Sequence, residues 1–405
     1  MRIHIYVQHL LGGGHLARMQ VLAAALARGG HQVTLISGGF PPHTLRRAAR
    51  NYQLFQLPPV KTAPGDFTKL LRADGAPISA GFRAERAMRL LQCVKNGAPD
   101  ALVVESFPFG RAALRFELLP LMRLAARMRP RPLMLCSLRD ILQARAPAKQ
   151  RRSLDEAKKW FDAVLVHADP AVANLAESFP LAAELSEKIF YTGYLHAGPG
   201  EMQEEKKHDA GEKTGEVVVS AGGGAVGFKL LQTALAAREK SALKKNVWRL
   251  LVGANAPRKE LEELKKLRGN FIGGSEEDII IERSRADFRA LLRRCAVSVS
   301  QAGYNTVLDL AAARCRAVLA PFARFGETEQ TRRAEIFARL GRAVLLAEND
   351  LTPARLAAAI DRAVQLDMSG CARIKMDGAR QSARFIERQF RRTFRARQAR
   401  RGMPR

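Results

Sequence analysis

Residues 296–312, AVSVSQAGYNTVLDLAA, contain the most informative group of polar residues in the chain. A short β-branched run ends in a small-residue turn, Ala302-Gly303, and a helix with periodic apolar residues follows. A helix that begins in this way presents unbonded backbone N–H groups and the positive end of its dipole, which suits a phosphate. Asn305 and Thr306 lie in its first turn, and Asp309 lies within reach of a ribose attached to that phosphate.

Two further glycine clusters follow predicted strands. Gly222-Gly223-Gly224 comes after a valine-rich run, and Gly12-Gly13-Gly14 comes shortly after the opening strand. Any one of these turns could simply connect a strand to a helix. Three of them in one chain favour a phosphate-binding protein.

Two side chains are candidates for a general base. His15 directly follows the first glycine turn, and its near-neutral titration suits removal of a proton from a hydroxyl. Glu105 ends the apolar run ALVVE, where a carboxylate would lie at the edge of a sheet. A purely structural role remains open for both residues.

The elements that must position these residues alternate between strand and helix. This alternation predicts an α/β chain with two Rossmann-like domains and a cleft between them, the turns lying beyond the carboxyl ends of the strands. We expect a first domain over residues 1–197, a polar linker over 198–216, a second domain over 217–379 and a basic helical tail over 380–405. The predicted strands are 2–8, 32–37, 101–105, 132–137, 163–167, 217–220, 248–252, 271–273, 297–300 and 316–320, with a long loop over 56–82.

Composition narrows the class of protein. The 405 residues are 47% hydrophobic and 26% charged, which is ordinary for a globular protein. The five cysteines are widely scattered and form no CxxC, so we expect buried thiols, no disulfide framework and no zinc site. No secretory signal is visible and no apolar run is long enough to span a bilayer, which predicts a cytoplasmic protein.

The net charge of +28 is unusual, and ten arginines against one glutamate lie in residues 380–405. In the predicted tail helix Ile386, Phe390 and Phe394 form a narrow apolar stripe. The stripe could dock on the fold, or the helix could lie on an anionic membrane. Nucleic acid is a less favoured partner, because we recognise no nucleic-acid module in the chain. The arginine content could also be a compositional bias without a function.

These motifs resemble the family 28 glycosyltransferases of GT-B fold, the MurG-like enzymes. The match is strongest over Ser300–Thr352, with SQAGYNT, then Asp309, Pro321-Phe322 and the segment ETEQ that contains Glu329 and Gln330. The glycine turns at Gly222 and Gly12 match the family's two glycine loops. The opening YVQHLLGGGH and the segment ESFPFGR also resemble a bacterial branch of predicted glycosyltransferases.

The resemblance implies a role for each matching position. Residues of the glycine loops and of the helix start would bind the diphosphate of a nucleotide sugar without a metal or cofactor: Gly13, Gly14, Gly222, Gly223, Gly224, Ala302, Gly303, Tyr304, Asn305 and Thr306. Asp309 would bind the ribose, and Glu329 and Gln330 the donor sugar. The positions that cap the base fall at Ser284 and Arg285, where the family's aromatic residue is missing, although backbone recognition still favours UDP. His15 would lie near the diphosphate and acceptor.

The resemblance implies an inverting transfer of a hexosyl or N-acetylhexosaminyl group from a UDP-sugar to a hydroxyl acceptor in cell-envelope or polysaccharide synthesis. The basic residues of 107–159 and the apolar segment Phe107–Phe109 would suit a lipid-linked acceptor at the inner face of the cytoplasmic membrane. A nucleotide-sugar hydrolase or 2-epimerase would use the same donor site. A basic nucleic-acid-binding protein is the alternative from a different class.

Overall fold

The computed structural model describes residues 1–10, 13–41, 51–63, 66–196, 213–222, 227–254, 256–269, 277–285, 287–324 and 327–401, with all of their side chains except those of 67 and 395–401. The chain divides into two compact units. The first unit joins Met1–His196 to Lys375–Arg405, and the second is Ala197–Ile374. The sequence predicts residues 375–379 to lie in the second domain, but the structure places them in the first unit.

The first unit is built on a seven-stranded parallel sheet with the order β3-β2-β1-β6-β7-β8-β9. Its central strands are continuous apolar runs because helices cover both faces of a parallel sheet. The strands are β1 Arg2–Val7, β2 Gln32–Ser37, β3 Gln53–Gln56, β6 Ala101–Glu105, β7 Leu133–Arg139, β8 Ala163–His167 and β9 Ile189–Tyr191. The helices of residues 1–196 are α1 Gly14–Arg28, α2 Ala80–Gly97, α3 Arg115–Arg127 and α4 Pro147–Trp160.

Two short strands lie where we predicted a long loop over residues 56–82. Strand β4 Lys61–Ala63 pairs antiparallel with β5 Asp66–Leu71 in a separate sheet. The loop prediction was therefore wrong for this hairpin. Its strands are short and hold few large apolar residues, so the sequence gives little periodicity to detect.

The second unit has a six-stranded parallel sheet with the order β12-β11-β10-β13-β14-β15. The strands are β10 Val217–Ser220, β11 Trp248–Val252, β12 Ile279–Arg283, β13 Val297–Ser300, β14 Ala317–Leu319 and β15 Val344–Leu345. The helices are α5 Phe228–Arg238, α6 Arg258–Arg268, α7 Phe288–Arg294, α8 Tyr304–Ala313, α9 Glu329–Arg339 and α10 Pro353–Val364. Strand β12 was missed from the sequence, and the strand predicted at 271–273 lies outside the described residues.

The last helix, α11 Gly378–Arg401, packs on the first unit. Phe385 and Ile386 are buried in the core that β1, α1 and β2 also form, and the Phe385 ring stacks on Phe190 with centroids 4.3 Å apart. The docking alternative is therefore correct for this part of the helix. The predicted stripe was wrong in detail, because Phe394 is 49% exposed and the buried side begins at Ser382 and Ala383.

The cysteines are closer together than their sequence positions suggest. All five are free thiols, but the Sγ atoms of Cys295 and Cys315 lie 3.4 Å apart at the ends of α7 and α8. Only Cys136 and Cys315 are fully buried, so the expectation of uniformly buried thiols was wrong. Across the described parts of the chain, we find no helix with the length and hydropathy needed to span a membrane.

Candidate active site

Each of the two parallel sheets has one point at which its strand order reverses. In the first unit β1 lies between β2 and β6, and in the second unit β10 lies between β11 and β13. The chain therefore leaves neighbouring strands toward opposite faces, which opens a crevice beyond their carboxyl ends. His15 and Glu105 lie at the first of these points, and the turns at Gly222 and Gly303 lie at the second.

At the first reversal point, the two candidate bases are hydrogen-bonded to each other. His15 is in the first turn of α1, directly after the loop that follows β1, and Glu105 is the last residue of β6. The His15 Nδ1 atom lies 2.6 Å from Oε1 of Glu105. About 20% of the His15 side chain is exposed, whereas the Glu105 side chain is fully buried. The sequence offered His15 and Glu105 as alternative general bases, whereas in the structure they form one hydrogen-bonded pair.

Three further groups contact the Glu105 carboxylate. Arg18 donates from Nη2 to Oε1, and Arg111 donates from Nη2 to Oε2 at 3.1 Å. The Ser106 hydroxyl donates to Oε1 at 2.6 Å. A buried carboxylate needs such donors because its desolvation is costly. Glu105 is thus a fully bonded anion inside the first unit.

The surroundings keep the imidazole neutral and the carboxyl ionised. Burial lowers the pKa of His15 to about 3, Glu105 opposes this shift, and Arg111 and Arg139 add to it. Burial alone would raise the pKa of Glu105, but His15 and Arg111 outweigh it, so this pKa lies well below its usual range. A neutral imidazole that donates from Nδ1 to a carboxylate has its lone pair on Nε2. His15 can therefore accept a proton at that nitrogen.

The segment after Glu105 is held in an unusual backbone conformation. Ser106 and Arg111 have φ angles of 64° and 61°, in the left-handed region that residues with a side chain rarely adopt. The side chains of both residues donate hydrogen bonds to the Glu105 carboxylate. Phe107 and Phe109 are buried, and Phe109 packs edge-on against Phe179. The expectation that Phe107–Phe109 offers an apolar surface to a lipid was therefore wrong.

At the second reversal point, α8 begins as the sequence predicts. Gly303 is the residue before the first helical position, Tyr304, and as a glycine it supplies no side-chain cap to the helix. The carbonyl of Ala302 accepts a hydrogen bond from Nη1 of Arg333 at 2.8 Å. The side chains of Asn305 and Thr306 are half-buried. The first turn of a helix directs its backbone N–H groups outward, and such groups can bind an anion.

Asp309 is already paired within the second unit. Its Oδ1 accepts from Nε of Arg289 on α7 at 2.7 Å, and the Asp309 side chain is half-buried. The arginine fixes the direction of the carboxylate. The pair is partly exposed, with 27% of the Arg289 side chain and 12% of the Asp309 side chain accessible to solvent.

The glycine loops are only partly described. Gly222 has a φ of 69°, which favours glycine, and its N–H donates to the Ser220 hydroxyl at 3.2 Å. Gly13 and Gly14 are exposed at the start of α1. Gly12, Gly223 and Gly224 lie outside the described residues.

The predicted donor-sugar residues lie at the start of α9. The Glu327 carboxylate accepts the backbone N–H groups of Glu329 and Gln330, and Oε1 of Gln330 accepts the N–H of Phe322 at 3.2 Å. Glu329 is buried and Gln330 half-buried. Arg285 is bound to Asp287 on the surface of the second unit. Among the described residues, no group of three or more His, Cys, Asp or Glu side chains is placed to hold a metal ion.

Residues 218–389 match the family model of the glycosyltransferase family 28 C-terminal domain. This part of the chain is therefore similar to a family 28 domain. This match confirms the resemblance that the motifs around Gly303 and Asp309 predicted. It begins in β10 and extends past the second unit into α11.

Sequence relatives and solved structures agree with this assignment. The chain is 35% identical over 113 residues to the UDP-N-acetylglucosamine--N-acetylmuramyl-(pentapeptide) pyrophosphoryl-undecaprenol N-acetylglucosamine transferase of Xanthomonas axonopodis pv. citri, covering 26% of each protein. It is 38% identical over 63 residues to the enzyme of that name from Gloeothece citriformis, covering 16% of this chain and 18% of that one. These alignments thus span about a quarter or less of the relatives' length.

The structural similarity extends over almost the whole chain. The MurG structure from Acinetobacter baumannii has a TM-score of 0.58 at 16% identity and covers 96% of this chain and 100% of that one. The kitacinnamycin glycosyltransferase has a TM-score of 0.63 at 15% identity and covers 96% of this chain and 99% of that one. The predicted GT-B fold class is confirmed.

The site contains residues that sequence reasoning missed. In the first unit these are Arg18 and Arg111, which bind Glu105, and in the second unit they are Arg289 and Arg333. Arg18 stands three residues after His15 on one face of α1, a spacing that could have been noticed. The other three belong to an arginine-rich chain, in which no single arginine stands out.

Proposed function

We propose that this chain is an inverting glycosyltransferase that moves a hexosyl or N-acetylhexosaminyl group from a UDP-sugar to an acceptor hydroxyl. One observation carries the proposal: each sheet has chemically suitable groups at its reversal point. These are the hydrogen-bonded His15 and Glu105 in the first unit and the helix start with Asp309 in the second. The family 28 match supports the same class of reaction.

In this proposal His15 is the general base. Its Nε2 accepts the proton of the acceptor hydroxyl while the oxygen attacks the anomeric carbon of the donor, and the bond to the diphosphate breaks. Glu105 accepts from Nδ1 and stabilises the imidazolium that forms. The carboxylate is therefore an orienting group, because three other donors occupy it and it is fully buried.

The second unit binds the donor in this proposal. Backbone N–H groups of the glycine loop at Gly222 and of residues 303–306 stabilise the charge of the leaving diphosphate, so the reaction needs no metal or other cofactor. Asp309 accepts from the ribose hydroxyls. Gln330 can donate from its amide nitrogen to a sugar hydroxyl, since its oxygen is bound to Phe322. Glu329 would accept from a second hydroxyl, and Arg285 would lie near the base.

We further propose a lipid-linked acceptor and a place of action at the inner face of the cytoplasmic membrane, in cell-envelope synthesis. The names of the two sequence relatives specify a pyrophosphoryl-undecaprenol acceptor for those proteins. On this chain α11 offers a cationic surface: Arg384, Arg391, Arg392 and the neighbouring Phe394 are exposed. Exposed arginines beside an aromatic residue suit an anionic bilayer.

A thermal-shift panel of nucleotide diphosphates and nucleotide sugars tests the donor site. UDP and a UDP-sugar should raise the melting temperature of the wild-type protein. Asp309→Ala should weaken UDP binding roughly 10- to 100-fold, the value of a hydrogen bond to a charged group. The control is Asp367→Ala, which removes an exposed carboxylate from a loop of the second unit. Absence of a response to every nucleotide in the wild-type protein would refute the proposal.

A product assay with the responding sugar nucleotide separates transfer from hydrolysis. Incubation with membrane lipid extract should yield a glycosylated lipid, and little sugar should be released without the extract. Free sugar at the same rate with and without extract would identify a hydrolase, and a change of the sugar within the nucleotide would identify a 2-epimerase.

Vesicle co-sedimentation tests the membrane contact. The protein should bind vesicles that contain phosphatidylglycerol and not vesicles of phosphatidylcholine alone. Replacing Arg384, Arg391 and Arg392 together by glutamate should abolish binding. The control reverses three exposed lysines of α6, Lys259, Lys265 and Lys266. Equal binding by both triple variants would contradict the proposed surface.

A further inference from the structure

The carboxylate beneath His15 is held between two buried arginines. Arg18 contacts one oxygen of Glu105 and Arg111 contacts the other. The Arg18 side chain is only 2% exposed, and that of Arg111 is 11% exposed. Arg18 is also on the same helix as His15, and its Nη2 lies 3.5 Å from the His15 Nδ1. It therefore approaches the pair from inside the protein.

The charges of this cluster do not balance as they would in a simple histidine–carboxylate pair. A lone carboxylate at 2.6 Å favours the protonated imidazole. Here Arg18 and Arg111 both contact the single carboxylate of Glu105, so the immediate surroundings of His15 carry a net positive charge. That charge opposes protonation of the imidazole and leaves the hydrogen bond in place.

Four other titratable groups interact with His15 or Glu105. Arg139, at the end of β7, acts on His15 in the same direction as Arg111. Burial lowers the pKa values of His9 and His167, and the charge of Glu105 opposes this shift in each. Cys136 lies near the carboxylate, and burial raises its pKa well above the usual value. None of these three groups is charged at neutral pH. Burial of the imidazole and the charges of Arg111 and Arg139 therefore oppose its protonation, and Arg18 contacts the one carboxylate that favours it.

We propose that Arg18 is a positioning residue that keeps His15 in its neutral, proton-accepting form by cancelling the charge of Glu105. Its role in catalysis rests on the proposed function, whereas its effect on His15 is independent of any activity. Arg18 is not expected to contact the substrate, since it is buried under the pair. Arg111 acts from the other side of the carboxylate.

The test measures the protonation of His15 directly. Long-range proton–nitrogen NMR of imidazole-labelled full-length protein identifies the His15 signals by their loss in His15→Gln. In the wild-type protein His15 should stay neutral, with the proton on Nδ1, throughout the pH range in which the fold is intact. In Arg18→Met the protonated imidazole of His15 should appear within that pH range, because loss of the cation should raise the midpoint of His15 protonation by on the order of one pH unit or more. Arg18→Lys should behave like the wild type, and so should Arg28→Met, which removes an exposed arginine from the end of α1.

The same variants give a second readout if the protein transfers sugar. The acidic limb of the kcat/KM profile of Arg18→Met should move to higher pH, with activity recovering at alkaline pH. A loss by the same factor at every pH, together with an unchanged His15 titration, would overturn the proposal. A shifted titration in a protein that transfers no sugar would support the role of Arg18 and reject only the proposed function. If Arg18→Met does not fold, Arg111→Met tests the same prediction from the more exposed side.

Discussion

The polar groups at the two reversal points differ in kind. The first unit uses buried side chains: a fully buried carboxylate is surrounded by two arginines, a serine and a histidine. The second unit uses backbone groups at a helix start, together with a half-buried carboxylate that has one arginine partner. We infer that the first arrangement is prepared for proton transfer and that the second is prepared to receive a charged ligand.

The largest expected effect follows from removing the proposed general base of the first unit. His15→Ala should lower kcat for sugar transfer by about 10²- to 10⁴-fold, the usual contribution of general base catalysis. The nucleotide affinity should change little, because Asp309, Gly222 and residues 303–306, which bind the nucleotide in the proposed function, lie in the second unit. Transfer kinetics and UDP titration measure the two quantities. His31→Ala, which removes a histidine paired with Glu387 away from the site, is the control. Equal losses in both variants would argue against His15 as base.

The same chemical change should cost much more stability in the first region than in the second. Glu105→Gln leaves two buried arginines without their anion, so the free energy of unfolding should fall by about 3–5 kcal/mol. Asp309→Asn removes one partner of a partly exposed pair, and its cost should be within about 1 kcal/mol. Urea unfolding of the two variants measures the difference. Similar costs would mean that the first unit is not organised around Glu105 as described.

Acid should weaken the first unit before the second. Burial lowers the pKa values of His4, to about 4, and of His9, His15 and His167. Since each folded value lies below the unfolded value near 6.5, the unfolded chain binds protons first and stability falls as the pH drops below about 6.5. Each histidine contributes up to about 1.4 kcal/mol per pH unit until its folded pKa is reached. The second unit contains one histidine in sequence, His208.

The two tryptophans of the chain make this prediction measurable. Trp160 is in the first unit and Trp248 in the second. The variants Trp248→Phe and Trp160→Phe each leave one fluorophore, so urea unfolding between pH 7 and pH 5 can be followed unit by unit. A loss of stability reported equally by both fluorophores would show that the units do not unfold separately.

The smallest expected effect concerns the backbone of the second site. Gly222→Ala places a Cβ on a residue with a φ of 69° and should cost about 1 kcal/mol of stability. Among the described residues beyond its chain neighbours, no atom lies within 4 Å of this Cβ. Thermal unfolding of the variant measures the cost, and a neutral substitution would mean that the turn does not need glycine.

The same difference explains what the sequence could predict. The strand, turn and helix at Val297–Ala313 are local, so their bounds and the helix start at Tyr304 follow from residue types a few positions apart. The contact between His15 and Glu105 joins residues 90 positions apart. Both were identified as cleft-edge candidates, but their hydrogen bond depends on β1 and β6 becoming neighbours in the sheet, which local periodicity does not specify.

Edge elements were the least predictable parts of the fold. Strands β9 and β15 lie at the ends of the two sheets and contain three and two residues. Runs of this length carry no measurable periodicity, and pairing with the neighbouring strand defines them. The central strands β6 and β8, by contrast, are continuous apolar runs and were predicted at their observed bounds.

The position of α11 has a consequence for the order of events during protein synthesis. Ala383, Phe385 and Ile386 complete a core whose other buried members all precede residue 196. The ribosome must therefore translate about 190 more residues, which takes roughly 10–40 s, before α11 can pack on α1. During that interval the nascent second unit, whose residues are continuous in sequence, can finish folding first.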